Sequence, residues 1–301
     1  MNSINFKHSV IFFNLCILMS PIYQSMNYTL IVLCLFLILI LGISHGSLDN
    51  IKGERLFKLF GFSSKYLFYI TYILISLIII LAWLISPNII LLIFLIVASY
   101  HFGKEDTVFK LKKSFFLNEI LFFLKGSSVI IAPLLFQRQS TNEIFAILNF
   151  YVFENSIFND FALIISLVLS FFSNIYLSLG KSFELKNIMI LDYFSIIILN
   201  FFLTPVLAFT IYFCFLHSIR HSFSLINEMD KSFEKGFKKF ILKAIPLTLI
   251  TGLIFLIGIY FLNNLYKIDE AIYKVIFIGL ASLTFPHILL EYLLEKNEKR
   301  T

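Results

Sequence analysis

The histidines are the residues of this sequence best suited to chemistry. The chain has six His among 301 residues. Five lie in or beside long apolar segments, where ionisable side chains are costly and normally face a functional interior. These five are His45, His101, His217, His221 and His287, whereas His8 lies in the N-terminal flank. One interpretation is a shared binding site, and the other is a set of separate polar anchors or helix-packing hydrogen bonds.

Two of the histidines have the spacing of a metal site. His217 and His221 are four residues apart, so on a helix both imidazoles project from one face, with Cβ atoms about 5–6 Å apart. Imidazole binds Fe, Zn, Cu and Ni, and a set of four neutral nitrogens without thiolate is compatible with non-haem Fe(II). The three cysteines form no CxxC pair, which argues against a thiolate zinc site and a disulfide framework.

Carboxylates lie close to these histidines in the sequence. They are Asp49, Glu105, Asp106, Asp192 and Glu291. A metal-bound imidazole commonly donates its second ring N–H to a carboxylate, which fixes the tautomer. Asp49, Asp106 and Glu291 are candidates for this role, with solvated helix-end charge as the alternative and as the preferred interpretation for Glu105. Arg220 either pairs with one of these carboxylates or extends to the membrane interface.

The composition predicts an integral membrane protein. Hydrophobic residues make up 59% of the chain, charged residues 14%, and the mean hydropathy is +0.91, whereas soluble domains are about one quarter charged. A transmembrane helix takes roughly 20 residues, so little of the chain is left for a water-soluble domain. The net charge of +6 then reflects cationic loops beside anionic lipid rather than nucleic-acid binding.

The apolar runs predict an all-α polytopic helix bundle of about eight to ten transmembrane helices. Prolines at Pro87 and Pro205 mark tight turns between neighbouring runs, and the fourth run is short for a full span. The segment 137–157 is apolar enough for a helix lying at the membrane interface. The runs fall at 9–23, 27–44, 66–86, 88–102, 114–136, 158–179, 188–203, 205–223, 240–263 and 271–293.

We expect three parts along the chain. Residues 1–26 form the N-terminal flank and first apolar helix, 27–293 a single membrane-embedded catalytic bundle, and 294–301 a basic cytoplasmic tail. The first run also fits a signal peptide, but no clear small-x-small cleavage site follows it, so a retained anchor is the preferred interpretation.

The distribution of basic residues predicts the orientation. Almost all Lys and Arg outside the runs fall in one set of alternate loops, and the opposite set holds only Arg138 and Lys267. By the positive-inside rule, both termini are cytoplasmic and the protein is a multi-pass protein of the inner membrane. The five histidines would then all lie near the cytoplasmic leaflet.

Four blocks of sequence resemble a known family. GISHGSLD (42–49), YHFGKED (100–106), HSIRH (217–221) and PHILL (286–290) resemble, in order and spacing, the signature blocks of the Brp/Blh family of membrane-bound beta-carotene 15,15'-dioxygenases. The resemblance covers the chain from about residue 40 to 293. It implies cleavage of the central double bond of beta-carotene by O2, at an Fe(II) held by histidines. The two retinal molecules formed would supply a microbial rhodopsin.

The resemblance also implies roles for individual residues. His287 belongs to a further block, with an outer hydrogen bond or a place in the substrate channel. Apart from the resemblance, Tyr100 and Phe102 are the nearest candidates for the wall of a substrate channel, with lipid-facing or packing aromatics as the preferred alternative for either one. The chain departs from the family at Ser47, where the family has Ala, and at Asn50, where it has His. This departure keeps open a non-catalytic carotenoid- or retinal-binding protein, or a rhodopsin assembly protein. The implied iron ligands are His45, His101, His217 and His221.

Two other classes fit the sequence less well. A di-iron membrane desaturase or hydroxylase needs more histidine ligands than the six present. A transporter of the inverted-repeat type predicts internal pseudo-symmetry and charged groups near the middle of the membrane, and neither is evident.

Overall fold

The computed structural model describes residues 2–24, 30–62, 65–109, 111, 116–151 and 160–298, and these residues are helical apart from short connections. The first half contains α1 (Asn2–Gln24), α2 (Ile31–Leu37) with a π segment (Ile38–Gly42) and a 3-10 segment (Ile43–Leu48), α3 (Asp49–Leu59), α4 (Lys65–Ile85), α5 (Pro87–Glu105), α6 (Phe116–Phe136) and α7 (Arg138–Ile147). The second half contains α8 (Asp160–Leu177), α9 (Phe183–Phe202), α10 (Pro205–Ile211) with a π segment (Tyr212–Ser218), α11 (Ile219–Met229), α12 (Phe233–Leu262) and α13 (Ile268–Glu298).

The length and polarity of these helices confirm an all-α polytopic membrane bundle. Among the described residues, nine helices are long and apolar enough to cross a membrane. Their outer surfaces carry large exposed apolar side chains, such as Ile85 at 82% and Leu249 at 67% exposure. A water-soluble protein rarely exposes apolar surface on this scale, so these faces are suited to contact with lipid.

Each predicted run coincides with a helix, although several helices extend beyond the predicted ends, as α12 does by beginning at Phe233 and not at 240. Pro87 and Pro205 begin α5 and α10, as a residue without a backbone N–H allows at a helix start. The fourth run is not short: α5 has 19 residues and continues beyond the predicted end, because the polar residues at its C-terminus remain helical. The second run is irregular: its apolar helix covers Ile31–Gly42, and the chain continues as the 3-10 segment Ile43–Leu48.

The helix predicted at the membrane interface is present, and the C-terminal helix is longer than predicted. The predicted helix within 137–157 is present as α7, and residues 152–159 lie outside the described part. α13 continues to Glu298, into the predicted tail. The assignment of 27–293 to one bundle stays a prediction.

Packing divides the chain into two compact units. The first comprises Met1–Ile38 and Leu95–His221, and the second comprises Leu39–Phe94 and Ser222–Thr301. In the first unit α6 packs against α8 and α9, and α1 packs against α9. In the second unit α13 packs against α3, α4 and α12, and the 3-10 segment packs against α12.

A glycine pair lets α5 and α6 touch backbone to backbone in the first unit. A Cβ atom on Gly103 would lie 1.8 Å from the carbonyl oxygen of Phe122, and one on Gly126 would lie 1.9 Å from that of Ser99. Only glycine fits at both positions, and small residues are the usual means by which membrane helices approach closely. This crossing fixes the end of α5 that carries His101.

Candidate metal centre

The segment that carries His217 and His221 is not a regular α-helix. α10 begins at Pro205 and gives way to the π segment, and α-helical geometry returns at Ile219. His217 therefore lies in the π segment and His221 in α11. π segments within α-helices are rare and are frequent at functional sites.

Asp106 orients His217. The Nδ1 atom of His217 lies 2.9 Å from Asp106 Oδ1, and the Tyr212 hydroxyl donates a hydrogen bond of 2.5 Å to Asp106 Oδ2. Burial alone would raise the pKa of the Asp106 carboxyl, but His217, Arg220 and Lys125 together hold that pKa well below its usual range. Asp106 is thus an ionised acceptor, and the Nδ1 atom of His217 carries the donated proton.

Glu105 lies on the corresponding side of the His221 ring, at a longer distance. Its Oε2 atom lies 3.4 Å from His221 Nδ1, although the sequence favoured a solvated role for this residue. The opposite ring nitrogens, Nε2 of His217 and of His221, are buried and accept no hydrogen bond among the described residues. When Nδ1–H donates a hydrogen bond to a carboxylate, Nε2 carries the lone pair that can coordinate a metal. Metal-bound histidines have this arrangement.

His101 lies against His217 in the same unit. Their ring centroids are 5.3 Å apart, and His101 is buried. The ring of Phe102 lies nearly perpendicular to that of His217, with centroids 5.0 Å apart, and the ring of Phe213 stacks on His217 with centroids 5.8 Å apart. Tyr100 has a different partner, since its hydroxyl donates to Glu119 over 2.5 Å. The structure therefore brings His101, His217 and Phe102 together.

His45 belongs to the other unit. Its backbone lies in the 3-10 segment Ile43–Leu48, and its side chain lies outside the described part of the chain. The predicted ligand role of His45 therefore stays a prediction.

A second cluster of histidine and carboxylate lies in the second unit. The Nδ1 atom of His287 lies 2.9 Å from both carboxylate oxygens of Asp49, and the Tyr72 hydroxyl donates to Asp49 Oδ2 over 3.0 Å. His287 and Asp49 are both buried. Asp49 thus holds an imidazole, as its sequence position suggested, and its imidazole is that of His287.

Glu291 also belongs to this cluster. Its carboxylate accepts a hydrogen bond from the Lys52 ammonium, and one ligand atom each from Asp49, His287 and Glu291 lie within 4.8 Å of one another. The Lys52 ammonium therefore balances the negative charge of the Glu291 carboxylate. Nearby, the side-chain amide of Asn50 donates to the Tyr69 hydroxyl over 3.1 Å.

A buried ion pair lies beside the first cluster, which consists of His217, His221, Asp106 and Glu105. The Arg220 guanidinium binds both carboxylate oxygens of Asp192, at 2.6 and 3.1 Å, and both side chains are buried. This settles the alternative left open by the sequence, because Arg220 pairs with a carboxylate and does not extend to the interface. The two-point geometry also fixes the direction of the guanidinium plane.

Sequence reasoning missed several of these groups. Tyr212 is five residues before His217 and shares its carboxylate, but a tyrosine in an apolar run carries no distinctive signal. Tyr72 likewise lies in the apolar helix α4, and nothing in the sequence marks it as a partner of Asp49. Glu105 was identified but assigned to solvent, and the signal available was its neighbour Asp106, since adjacent residues can serve two different histidines at the end of a helix.

The first cluster fits a metal ion that prefers nitrogen ligands. Two imidazoles present buried Nε2 atoms, each with a carboxylate at or near Nδ1. Neutral imidazole suits iron as well as zinc or copper. His217 and His221 are the residues whose surroundings fit this role.

Comparison with known proteins gives the family. The profile of the family described as "Beta-carotene 15,15'-dioxygenase" matches residues 36–295. A relative of that name from uncultured marine bacterium 66A03 is 30% identical over 279 residues, covering 88% of this chain and 94% of its own. No solved structure matches the chain significantly. The chain therefore belongs to the beta-carotene 15,15'-dioxygenase family.

Proposed function

We propose that this protein is an iron-dependent dioxygenase that cleaves beta-carotene at its central 15,15' double bond to give two molecules of all-trans-retinal. Family membership supports the substrate and the bond that is cleaved. The observation that carries the metal assignment is the carboxylate on the Nδ1 side of two histidines whose Nε2 atoms are buried.

The proposed ligands of Fe²⁺ have unequal support. The paired carboxylates support His217 and His221, the ring contact with His217 supports His101, and the family resemblance alone supports His45. Iron bound there would supply the activation of O2, for which amino-acid side chains are poorly suited.

The chain's own residues hold and shield the site. Asp106 fixes the tautomer of His217, and Tyr212 fixes the orientation of Asp106. Phe213 stacks on the His217 ring and Phe102 packs against it at a steep angle, and the buried His217 side chain is shielded from water. Water exclusion strengthens the electrostatic interactions of the site and limits side reactions.

The overall reaction requires neither an acid nor a base. One C=C bond and the O=O bond break, two C=O bonds form, and no proton is gained or lost overall. The ionised Asp106 is therefore not needed as an acid. A C40 hydrocarbon dissolves in the bilayer, so a site within membrane helices receives it without transfer through water.

Replacing Asp106 with asparagine tests the orienting role. Asp106→Asn keeps the side-chain shape but removes the negative charge that holds the Nδ1 proton of His217. Loss of a group that hydrogen-bonds to a metal ligand lowers metal affinity or activity about 10- to 100-fold. We expect a loss of that size in iron affinity, measured by metal titration of the purified apoprotein.

The matched control is Glu143→Gln. Glu143 is an exposed carboxylate of α7, so its neutralisation should leave iron affinity unchanged. An Asp106→Asn protein with wild-type iron affinity would show that the Asp106 contact does not support the metal.

The proposed orientation is also testable. We propose an inner-membrane protein with both termini and the histidines on the cytoplasmic side, supported by the asymmetry of Lys and Arg among the loops. Reporter fusions at Lys113 and Lys239 should both report a cytoplasmic location. A periplasmic signal from either position would contradict the assumed number of spans.

The function itself is tested by expression in a bacterium that accumulates beta-carotene. We expect loss of orange colour, formation of retinal by chromatography, and stoichiometric iron in the purified protein. Retinal formed in this way would be available to a microbial rhodopsin. A metal-free protein that retains bound carotenoid without cleaving it would instead identify a carrier, the alternative raised by Asn50.

A further inference from the structure

We propose that His8 and Ser9 of α1 are positioning residues that hold the segment carrying His217 and His221 in the register required for metal binding. The inference rests on the proposed function. It assigns a role to a helix outside the matched residues of the family profile, which begin at 36, and to the one histidine without an assigned role.

The backbone that carries the two proposed ligands departs from α-helical geometry. In an α-helix the amide of Ile219 would bond to the carbonyl of Phe215, four residues earlier. In this protein it bonds to the carbonyl of Leu216. The direction of the His217 side chain relative to His221 therefore depends on the π segment being maintained, and not on α-helical spacing alone.

His8 stabilises this irregular segment directly. Its Nε2–H donates a hydrogen bond of 2.9 Å to the carbonyl oxygen of Phe215, the group that α-helical pairing would have joined to Ile219. A polar side chain that bonds to the backbone in this way is a recognised cause of local departure from the α-helical pattern. His8 thus gives the Phe215 carbonyl a partner other than the Ile219 amide and stabilises the irregular segment two residues before His217.

Ser9 holds the other side of the same segment. Its hydroxyl accepts a hydrogen bond of 2.9 Å from Arg220 Nη2, and the same guanidinium binds Asp192 of α9. Ser9 is completely buried. Because Arg220 lies between His217 and His221, this contact limits the rotation of the segment about its axis.

α1 is held in place by its packing against α9. One face of the helix is buried against α9 through residues such as Phe12 and Cys16, at 5% and 2% exposure. The opposite face exposes Ile11 and Leu18, at 60% and 64%. His8 and Ser9 lie on the buried side or at its edge, so α1 transmits the position of α9 to the metal-binding segment.

The experiment compares two substitutions of His8 in the full chain. His8→Phe keeps a ring of similar size but has no donor for the Phe215 carbonyl, whereas His8→Gln keeps an N–H donor. We expect His8→Phe to lower iron affinity about tenfold, the lower range for loss of an outer partner, and His8→Gln to restore most of it. The visible spectrum of the Co²⁺-loaded protein, which reports coordination geometry, should change in His8→Phe and return in His8→Gln.

The matched control is Ile11→Phe, which places the same side chain on the exposed face of α1. It should leave iron affinity and the Co²⁺ spectrum unchanged. Ser9→Ala provides a milder second variant in case His8→Phe does not accumulate, and loss of one hydrogen bond predicts a two- to tenfold drop, roughly, in iron affinity.

The outcomes separate this inference from the proposed function. If the wild-type protein binds no iron, the proposed function fails. If the wild-type protein binds iron and both His8→Phe and Ser9→Ala keep its affinity and spectrum, α1 has no positioning role. Equal losses in His8→Phe and His8→Gln would also overturn the proposal, because the hydrogen bond would then not be the cause.

Discussion

Retinal formation is expected to fall below detection when either His217 or His221 is replaced by alanine. Each substitution removes one nitrogen of the proposed ligand set and leaves a carboxylate, Asp106 or Glu105, without its imidazole partner. Protein accumulation in the membrane should continue, since each change removes one side chain from a helix. Chromatography of extracts from beta-carotene-producing cells measures the product, and metal analysis of the purified protein should show the iron lost in parallel.

The matched control is Ser224→Ala on α11. Ser224 is exposed, so this variant should form retinal and bind iron as the wild type does. Full activity in both histidine variants would refute the ligand assignment. Lost activity with retained stoichiometric iron would place these histidines in substrate handling and not in metal binding.

A single added methyl group at Gly103 is expected to destabilise the protein strongly. The new Cβ atom would lie 1.8 Å from the Phe122 carbonyl oxygen, and backbone atoms cannot move aside as a flexible side chain does. Separating α5 from α6 costs about 1–3 kcal/mol by the usual measure of overpacking. It also displaces His101, two residues away. Denaturant unfolding of Gly103→Ala in detergent, with iron content, measures both effects.

Gly252→Ala is the matched control for this experiment. No atom lies within 4 Å of the position that its Cβ would take. Alanine is favoured over glycine within a helix by about 0.5–1 kcal/mol, so this variant should be as stable as the wild type or slightly more stable. Equal stability of the Gly103 and Gly252 variants would show that the α5–α6 contact is not as close as described.

The helices were largely predictable from the sequence because a bilayer imposes a simple rule. Every buried backbone group must be paired within its own segment, so each apolar run of sufficient length becomes a helix. Prolines at positions 87 and 205 mark helix starts for an equally local reason. The irregular geometry of the second run was not predictable, because hydropathy does not register departures from α-helical geometry, such as the π and 3-10 segments that follow Leu37.

The site was predictable where its signal is local. Asp106 and Asp49 were identified as partners of imidazoles because each lies one turn or so from a histidine in the sequence. Their observed partners, His217 and His287, are 111 and 238 residues away, and only the folded chain supplies those pairings. Tyr212 and His8 were not assigned because they act through long-range contacts that no spacing reveals.

The π segment has a consequence for natural variation in this protein. Each residue of a helix rotates the following ones by about 100°. Deleting one residue between Tyr212 and His217, which both bond to Asp106, would turn one of the two away from that carboxylate, although both would keep their chemical identity. Length changes here should therefore be selected against as strongly as loss of a histidine, whereas insertions in a surface connection would be tolerated.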